Sequence, residues 1–165
     1  MGRILAVDWG GKRLGLALSD PLDLTAQPLD TIQLTAPTDA AGAIARAVAE
    51  HEVTRIVLGL PLELSGKTGE AARAVLDLKA ELERTLAVPV ETWDERFTSA
   101  LAEQSLREEG VRTSHRKGGG RERARARTED KARVDRRAAI LLLQSWLDAR
   151  RARSDRSEDR SGEPS

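Results

Sequence analysis

The chain has 165 residues, a length that fits one domain with a substantial hydrophobic core rather than two sizeable domains. It contains no cysteine and only two histidines, distant from each other in sequence, which excludes disulfide bonds and argues against zinc held by Cys and His. The longest apolar run, Ala138–Leu143, has six residues, so we expect no membrane span and a cytoplasmic protein.

The formal net charge of zero conceals a strong segregation of charge along the chain. Residues 1–111 carry 11 Lys and Arg against 18 Asp and Glu, a net charge of −7, whereas residues 112–137 carry 11 against 4, a net charge of +7. Such a basic block is either a solvated segment or a surface for phosphate backbones. Because it interrupts an acidic chain, we favour polyanion binding.

The first twenty residues predict a β-hairpin. Arg3–Val7 is a short apolar run, as in a strand buried on both faces, and Leu14–Leu18 is a second one. Between them, Asp8 ends the first run, and Trp9–Arg13 forms a turn with two glycines. A carboxylate at the end of a buried strand, beside glycines that let a substrate approach the backbone, is a candidate for catalysis or metal binding. The alternative is that Asp8 only caps the turn.

The rest of the chain predicts an α/β domain over residues 1–150, followed by a disordered, charged tail over residues 151–165. A helix between two apolar strands favours a parallel connection, and flanking prolines place the third strand at a sheet edge. The predicted elements are strand Leu29–Leu34, a helix capped by Thr38 or Asp39 and ending near Glu50, strand Thr54–Leu60, helix 67–86 with Ala71, Val75, Leu78, Leu82 and Leu86 inward, strand Pro89–Trp93, a helix capped by Thr98 or Ser99 and ending near Gly110, a basic flexible loop over residues 112–128, and a last helix from Thr128 to about Arg150.

The loop Pro61–Gly69 contains Gly66, Lys67 and Thr68, which resemble the end of a phosphate-binding Walker loop. That motif requires an earlier glycine at the position that Pro61 occupies, so we reject this interpretation. Lys67 lies at the start of the following helix, where it can still contact a phosphate.

Glu95 resembles Asp8 in its placement. It comes just after the apolar strand Pro89–Trp93, at the end of an α/β sheet where ligands gather. An ordinary acidic turn through Asp94, Glu95 and Arg96 is the alternative.

Asp135 lies one helical turn before the apolar stripe of the last helix, which Ala138, Ala139, Leu142 and Trp146 form. Its carboxylate therefore faces the sheet, where burial is costly without a cationic partner. A buried ion pair with the neighbouring residue 136 or 137, both arginines, is the structural alternative, and a metal ion is the functional one.

Three acids from two strand ends and one helix, without a cluster of His or Cys, suit a hard cation held by oxygen, here Mg²⁺ or Mn²⁺. Such sites commonly hold two ions, of which one activates water and the other stabilises the leaving oxygen of a phosphodiester. The basic segment beside Asp135 would then hold the nucleic acid.

The sequence resembles the YqgF/RuvX family, which is described both as Holliday-junction resolvases and as pre-16S rRNA nucleases, over about residues 3–149. The segments that carry the resemblance are Val7–Asp20, Val57–Pro61, Asp94–Ser99 and Val134–Ala139 running into Leu143–Leu147. The resemblance implies an RNase H-like α/β fold, with a five-stranded mixed sheet and helices on both faces. It also implies that Asp8, Glu95 and Asp135 form a metal-binding catalytic triad.

Residues expected to contact nucleic acid lie in these same segments, in the basic block, which is longer than is usual for the family, and at Lys67 in the loop Pro61–Gly69. Lys12, Arg13 and Arg96 are close in sequence to the acids and would contact phosphates. The full set of predicted substrate contacts is Gly10, Lys12, Arg13, Lys67, Arg96, Thr98, Arg116, Lys117, Arg121 and Arg123.

We therefore expect a metal-dependent nuclease that matures the 5′ end of pre-16S rRNA, cuts branched DNA, or does both. A cutter of four-way junctions needs two active sites and hence a homodimer. The alternative is a non-catalytic factor that binds nucleic acid through residues 112–137 during ribosome assembly. The pattern from Asp8 to Gly10 also resembles the first phosphate loop of actin and sugar kinases, but those proteins close two domains around a nucleotide, which this length does not supply.

Overall fold

The computed structural model describes residues 2–63, 65–98 and 120–160, and for residues 120–132 and 158–160 it describes the backbone alone. A helical segment also begins at Arg96, just after the last strand. The elements are β1 Arg3–Trp9, β2 Arg13–Ser19, β3 Ala26–Pro28, β4 Ile32–Gln33, a 3₁₀ turn Pro37–Asp39, α1 Ala40–Glu50, β5 Val53–Leu60, α2 Glu70–Thr85, β6 Val90–Asp94 and α3 Gly120–Arg160. Of the helices described, none is both long and apolar enough to cross a membrane.

The described strands form one mixed sheet with β1 near its centre. β1 is antiparallel to β2 and parallel to β5, and β6 continues the sheet in parallel beyond β5. β3 and β4 both pair with β2 on its outer side. Because β1, β5 and β6 run parallel, their last residues Trp9, Leu60 and Asp94 lie at one end of the sheet, the carboxyl end. The opposite end, where these strands begin, is the amino end.

Helices cover both faces of the sheet, because strand side chains alternate between the faces. In β1, Leu5 and Val7 pack on the side that α1 and α2 cover, whereas Ile4 and Ala6 pack on the side that α3 covers. Leu5 and Ala6 are both 0% exposed, so β1 is buried on both faces, as its apolar sequence predicts. The α3 side chains that close the second face are Ala139, Leu142, Leu143, Trp146 and Leu147.

The predicted mixed sheet with helices on both faces is confirmed, with one difference in the strand count. Two short strands, β3 and β4, replace the predicted third strand Leu29–Leu34, so six strands are described instead of five. The ladder with β2 ends just after Pro28, with a last hydrogen bond from the Leu29 N–H to the Leu16 carbonyl at 3.0 Å, and pairing resumes at Ile32. The edge position expected from the flanking prolines is confirmed.

The two helices on the first face differ slightly from their predicted forms. Asp39, one of the two predicted caps, is the N-cap residue of α1, but its side chain makes no capping hydrogen bond. Its carboxylate instead accepts a hydrogen bond from the backbone N–H of Ala36 at 2.9 Å and closes the preceding turn. α2 begins at Glu70 rather than at residue 67 and buries Ala72 in place of the predicted Ala71. Its other predicted inward residues, Val75, Leu78 and Leu82, are buried, and Leu86 follows its end partly buried.

α3 extends beyond both of its predicted ends, Thr128 and about Arg150. Residues 120–127 of the predicted flexible loop and residues 151–160 of the predicted tail are helical. These segments have no apolar stripe, which is the signal that the prediction used. They are nevertheless rich in Arg, which is a good helix former, and contain no proline, so helix is compatible with their composition.

Some predicted segments lie outside the described residues. They are residues 112–119 of the predicted loop, residues 161–165 of the predicted tail, and the predicted helix from Ser99 to Gly110. Thr98, the other predicted cap of that helix, already lies inside the helical segment, and its hydroxyl donates to the carbonyl of Glu95 at 2.6 Å.

Candidate active site

Asp8 lies on the α3 side of the sheet because β1 alternates. Ile4 and Ala6 pack against α3, so the side chain two residues further along is on the same face, at the carboxyl end. Across the antiparallel ladder, Asp8 pairs with Gly15 of β2. A Cβ built on Gly15 would lie 2.4 Å from the backbone oxygen of Asp135. This glycine therefore lets α3 pass close to β2 and brings Asp135 beside Asp8.

Glu95 reaches the same place from the end of β6. Its backbone N–H donates to the carbonyl of Leu60 at 3.1 Å, which holds the residue against the end of β5. Its side chain folds over Gly59, where a Cβ would lie 2.6 Å from Glu95 Oε1. Because β5 lies beside β1, the Glu95 carboxyl reaches Asp8 and shares a hydrogen bond with it.

Asp135 is half-buried and lies against Arg13 of β2. The Arg13 Nε atom is 2.8 Å from Asp135 Oδ2, a salt-bridge distance, but the contact lacks the alignment of a hydrogen bond and leaves this buried oxygen without a hydrogen-bond partner. From the sequence, Arg136 or Arg137 was the expected partner of Asp135. Arg136 is not the partner, since it lies 3.6 Å from the exposed Asp30. A cation from β2, Arg13, contacts Asp135 instead.

The two contacting acids have raised pKa values. Burial raises the pKa of Glu95 to about 7 from an ordinary value of 4.5, and the charge of Asp8 and the hydrogen bond with it add to this. Burial also raises the pKa of Asp8, with the hydrogen bond from Glu95 opposing and the charge of Asp135 adding. The pair therefore shares a proton up to about neutral pH, and added positive charge would stabilise it.

A cavity of ≈ 410 Å³ opens in front of Asp8 and Glu95. The turn between β1 and β2 forms one wall, closed by a hydrogen bond from the Gly10 N–H to the Arg13 carbonyl at 3.1 Å. Gly11 in this turn has φ 85°, a conformation that glycine adopts without strain. The other lining residues are Trp9, Pro61, Ala71 and Ala74.

Several of the predicted substrate contacts lie in or beside the segments that line this cavity. Gly10 lines it, and the exposed Lys12 lies on the same turn. The Arg96 guanidinium forks onto Asp94, with Nη2 and Oδ2 2.6 Å apart, and this contact lowers the pKa of Asp94. Arg96 also reaches the loop that carries the exposed Lys67, since its Nη1 is 3.4 Å from the Cβ position of Gly66.

The other predicted contacts are less informative. Thr98 uses its hydroxyl within its own turn, as described above. Arg116 and Lys117 lie outside the described residues, and Arg121 and Arg123 belong to α3 with only their backbone described. The contribution of the basic block to the site therefore stays a prediction.

The roles of two glycines, Gly15 and Gly59, were not predicted from the sequence. Both lie in segments that carry the family resemblance, but neither was expected to help bring the acids together. A glycine inside an otherwise apolar strand is a recognisable signal that another group approaches the backbone closely, and each of these two meets that description.

The three carboxylates suit a hard divalent cation as ligands, although they do not form one cluster. In the described part of the chain, no three acidic side chains form a ready cluster of metal ligands. Asp8 and Glu95 contact each other, and Asp135 lies against Arg13. Still, all the donors are carboxylate oxygens, two of the acids have raised pKa values, and the buried Oδ2 of Asp135 lacks a hydrogen-bond partner.

Solved structures with the same fold include two resolvases. "T. thermophilus RuvC in complex with Holliday junction substrate" matches with a TM-score of 0.50 and 17% identity, over 92% of this chain and 97% of that one. The complex of Fowlpox virus resolvase with Holliday junction DNA matches with a TM-score of 0.50 and 12% identity, over 89% and 97%. The chain thus has the RNase H-like fold of the resolvases.

Sequence comparison identifies the family. The family model described as "RuvX: Holliday junction resolvase" matches residues 2–149. Relatives from Koribacter versatilis and Chloroflexus aurantiacus are each 40% identical, over 149 and 156 residues, which cover 90% and 94% of this chain and 88% and 93% of theirs. Both are named "Putative pre-16S rRNA nuclease". The chain belongs to the RuvX (YqgF) family of nucleases.

Proposed function

We propose that this protein is a divalent-metal-dependent nuclease that hydrolyses phosphodiester bonds in structured nucleic acid, with Asp8, Glu95 and Asp135 as its catalytic metal ligands. The observation that carries the proposal is that these three acids lie at the carboxyl end of the sheet, with Asp8 and Glu95 in contact and the charge of Asp135 acting on Asp8. Each reaches this end from a different element, and glycines at positions 15 and 59 provide the space. Structural acids are normally paired with cations or N–H donors, whereas Asp8 and Glu95 contact each other.

Mg²⁺ or Mn²⁺, as one ion or a pair, would be held by these carboxylates, and it would lower the pKa of an attacking water and neutralise charge on the phosphate. The protein's own residues do the remaining work. The glycine turn at Gly10 and Gly11 leaves the cavity open to a sugar-phosphate backbone. Lys12 lies on the turn that lines the cavity, Arg96 follows Glu95, and Lys67 lies in the loop that Arg96 reaches. These three cations would bind phosphates on either side of the scissile bond.

The substrate that we favour is precursor 16S rRNA, cleaved at its 5′ end. The support is the shared name of relatives that are 40% identical over nearly their whole length. Branched DNA is the second substrate, supported by the description of the family. Processing of rRNA in the cytoplasm requires one active site, whereas symmetric cutting of a junction requires two copies of the chain.

The test is an incision assay with purified protein on three labelled substrates: a precursor 16S rRNA fragment, a four-way DNA junction and a linear duplex. Each is incubated with Mg²⁺, Mn²⁺ or a chelator. We expect metal-dependent cleavage of the RNA that Asp8→Asn abolishes, while Glu91→Gln, at the amino end of the sheet, cleaves like the parent. Binding without cleavage in any metal, undiminished by loss of the three acids, would instead favour a non-catalytic assembly factor.

A further inference from the structure

Arg13 differs from the other cations around the candidate site in what it contacts. It is the first residue of β2, and its guanidinium lies against Asp135, one of the three acids of the site. Lys12, its neighbour in sequence, is exposed on the turn, and Arg96 is held by Asp94, which we do not assign as a ligand. Both side chains of the Arg13 contact are largely shielded, with 17% and 24% of their surfaces exposed.

The Arg13 guanidinium reduces the electrostatic repulsion among the acids of the site. Three carboxyl groups share one end of the sheet, and the charge of Asp135 acts on Asp8. The guanidinium supplies positive charge where these acids repel one another. A divalent cation would compete for the same oxygen, Asp135 Oδ2, and the binding site must release that oxygen before a metal can use it.

The geometry indicates that this release is easy. The contact between Arg13 Nε and Asp135 Oδ2 is short but not aligned as a hydrogen bond, so it lacks the directional, two-bond fork that Arg96 makes with Asp94. A cation held by charge more than by directed hydrogen bonds can move away when a stronger positive charge arrives.

We propose that Arg13 is a stand-in cation: it neutralises Asp135 in the metal-free protein, yields this carboxylate to the divalent metal, and then binds a phosphate of the nucleic acid. The inference rests on the proposed function and extends it, because it makes phosphate binding by Arg13 conditional on the metal. It also accounts for an arginine predicted to contact substrate that lies instead against an acid.

The first test measures metal binding and stability without any cleavage assay. For Arg13→Ala, we expect Mn²⁺ affinity in calorimetry to rise about five-fold, because the competitor is lost. Without metal, we expect its Tm to fall by about 2–4 °C. Arg13→Gln keeps the stem of the side chain and serves if Arg13→Ala folds poorly. Lys12→Ala removes the same charge from the adjacent exposed residue and should change neither quantity appreciably.

A double-mutant cycle links the effect to its partner. In the Asp135→Asn background, where no carboxylate remains to be neutralised, Arg13→Ala should leave the Tm of the metal-free protein unchanged. An equal loss of Tm in both backgrounds would show that Arg13 stabilises the fold by some other contact, and it would overturn the inference.

The second test uses the salt dependence of binding to a short RNA duplex, measured before cleavage becomes detectable. With Mg²⁺ present, Arg13→Ala should reduce the slope of log affinity against log salt by the amount that corresponds to about one phosphate contact. With chelator present, it should not change the slope. Lys12→Ala should reduce the slope in both conditions. A slope that Arg13→Ala reduces equally with and without metal would overturn the inference.

The two proposals fail in different ways. If the parent protein shows no Mn²⁺ binding and no metal-dependent cleavage, the proposed function fails, and this inference fails with it. If the parent binds metal and cleaves, but Arg13→Ala changes neither metal affinity nor the Tm, only the role of Arg13 is wrong.

Discussion

The two ends of the sheet hold their acids in opposite conditions. At the amino end, Glu91 pairs with Arg55 and accepts a hydrogen bond from the Trp146 indole at 3.1 Å. At the carboxyl end, Asp8 and Glu95 contact each other, and burial raises the pKa of both. The first arrangement satisfies its charges within the chain and adds stability, whereas the second costs stability until positive charge arrives. The contrast separates the part of the molecule that holds the fold from the part that we assign to function.

The largest expected effect comes from filling the space over β5. The Cβ of Gly59→Ala would lie 2.6 Å from Glu95 Oε1, so the carboxyl must move while the strand stays in place. We expect kcat/KM for RNA cleavage to fall by about 100-fold, the cost of displacing a catalytic group by about an ångström.

The matched control for this variant is Gly42→Ala. A Cβ at Gly42, inside α1, meets nothing within 4 Å. This change should raise the free energy of unfolding by about 0.5–1 kcal/mol through helix propensity and leave cleavage unchanged. Parental cleavage by a folded Gly59→Ala protein would mean that the observed position of Glu95 is not the catalytic one.

The second prediction concerns the amino end. The hydroxyl of Ser19, 0% exposed, accepts a hydrogen bond from the Ile4 N–H at 2.9 Å and donates one to Asp23 at 2.8 Å. Ser19→Ala leaves the buried Ile4 N–H unsatisfied and removes one hydrogen bond from Asp23, so we expect the free energy of unfolding to fall by about 1–3 kcal/mol in urea denaturation. Cleavage measured well below the Tm should match the parent, and a large loss of activity there would remove the distinction between the two ends.

The smallest predicted effect is a gain in stability rather than a loss, and it depends on pH. The pKa of Glu95 is about 7 in the folded protein and near 4.5 when unfolded, so the folded state binds the extra proton in this window. Stability contributed at this residue therefore falls as pH rises from 4.5 to 7, and above 7 the charged Glu95 is a net cost.

Glu95→Gln removes that cost and still donates a hydrogen bond to Asp8. In metal-free protein at pH 8 we expect a gain of roughly 1 kcal/mol, after allowance for solvent screening, and a Tm higher by about 2–4 °C. The gain should vanish at pH 4.5. Glu91→Gln should instead lose stability at pH 8, because it breaks the ion pair with Arg55. A lower Tm for Glu95→Gln at pH 8 would contradict the interpretation that the contact between Asp8 and Glu95 destabilises the metal-free protein.

Local sequence patterns predicted most of the fold because the strongest signals are local. The apolar runs gave β1, β2 and β5, and the helical stripe correctly turned Asp135 toward the sheet. The length of α3 was missed because its outer parts have no apolar periodicity, and a pattern of burial cannot reveal a helix that buries nothing. The split of the edge strand depends on where the chain leaves β2 between Leu29 and Ile32, which is a tertiary matter.

The sequence predicted the acids of the candidate site but not the residues that surround them. Asp8 and Glu95 stand at strand ends that the sequence marks. The spacing role of Gly15 and Gly59 depends on which element crosses each glycine. Arg13, which pairs with Asp135, is 122 positions away in sequence, whereas the local pattern pointed to the adjacent arginines. Contacts between distant segments are what a single sequence shows least.

The most direct test of the account is calorimetric titration of Mn²⁺ into the parent protein and into Asp8→Asn, Glu95→Gln and Asp135→Asn. If the three acids form one metal site, each of these variants should weaken binding by at least about ten-fold, while Glu91→Gln at the amino end should bind like the parent. Parental affinity in a folded Asp135→Asn protein would contradict the account, because the helix-borne acid would then have no part in the site.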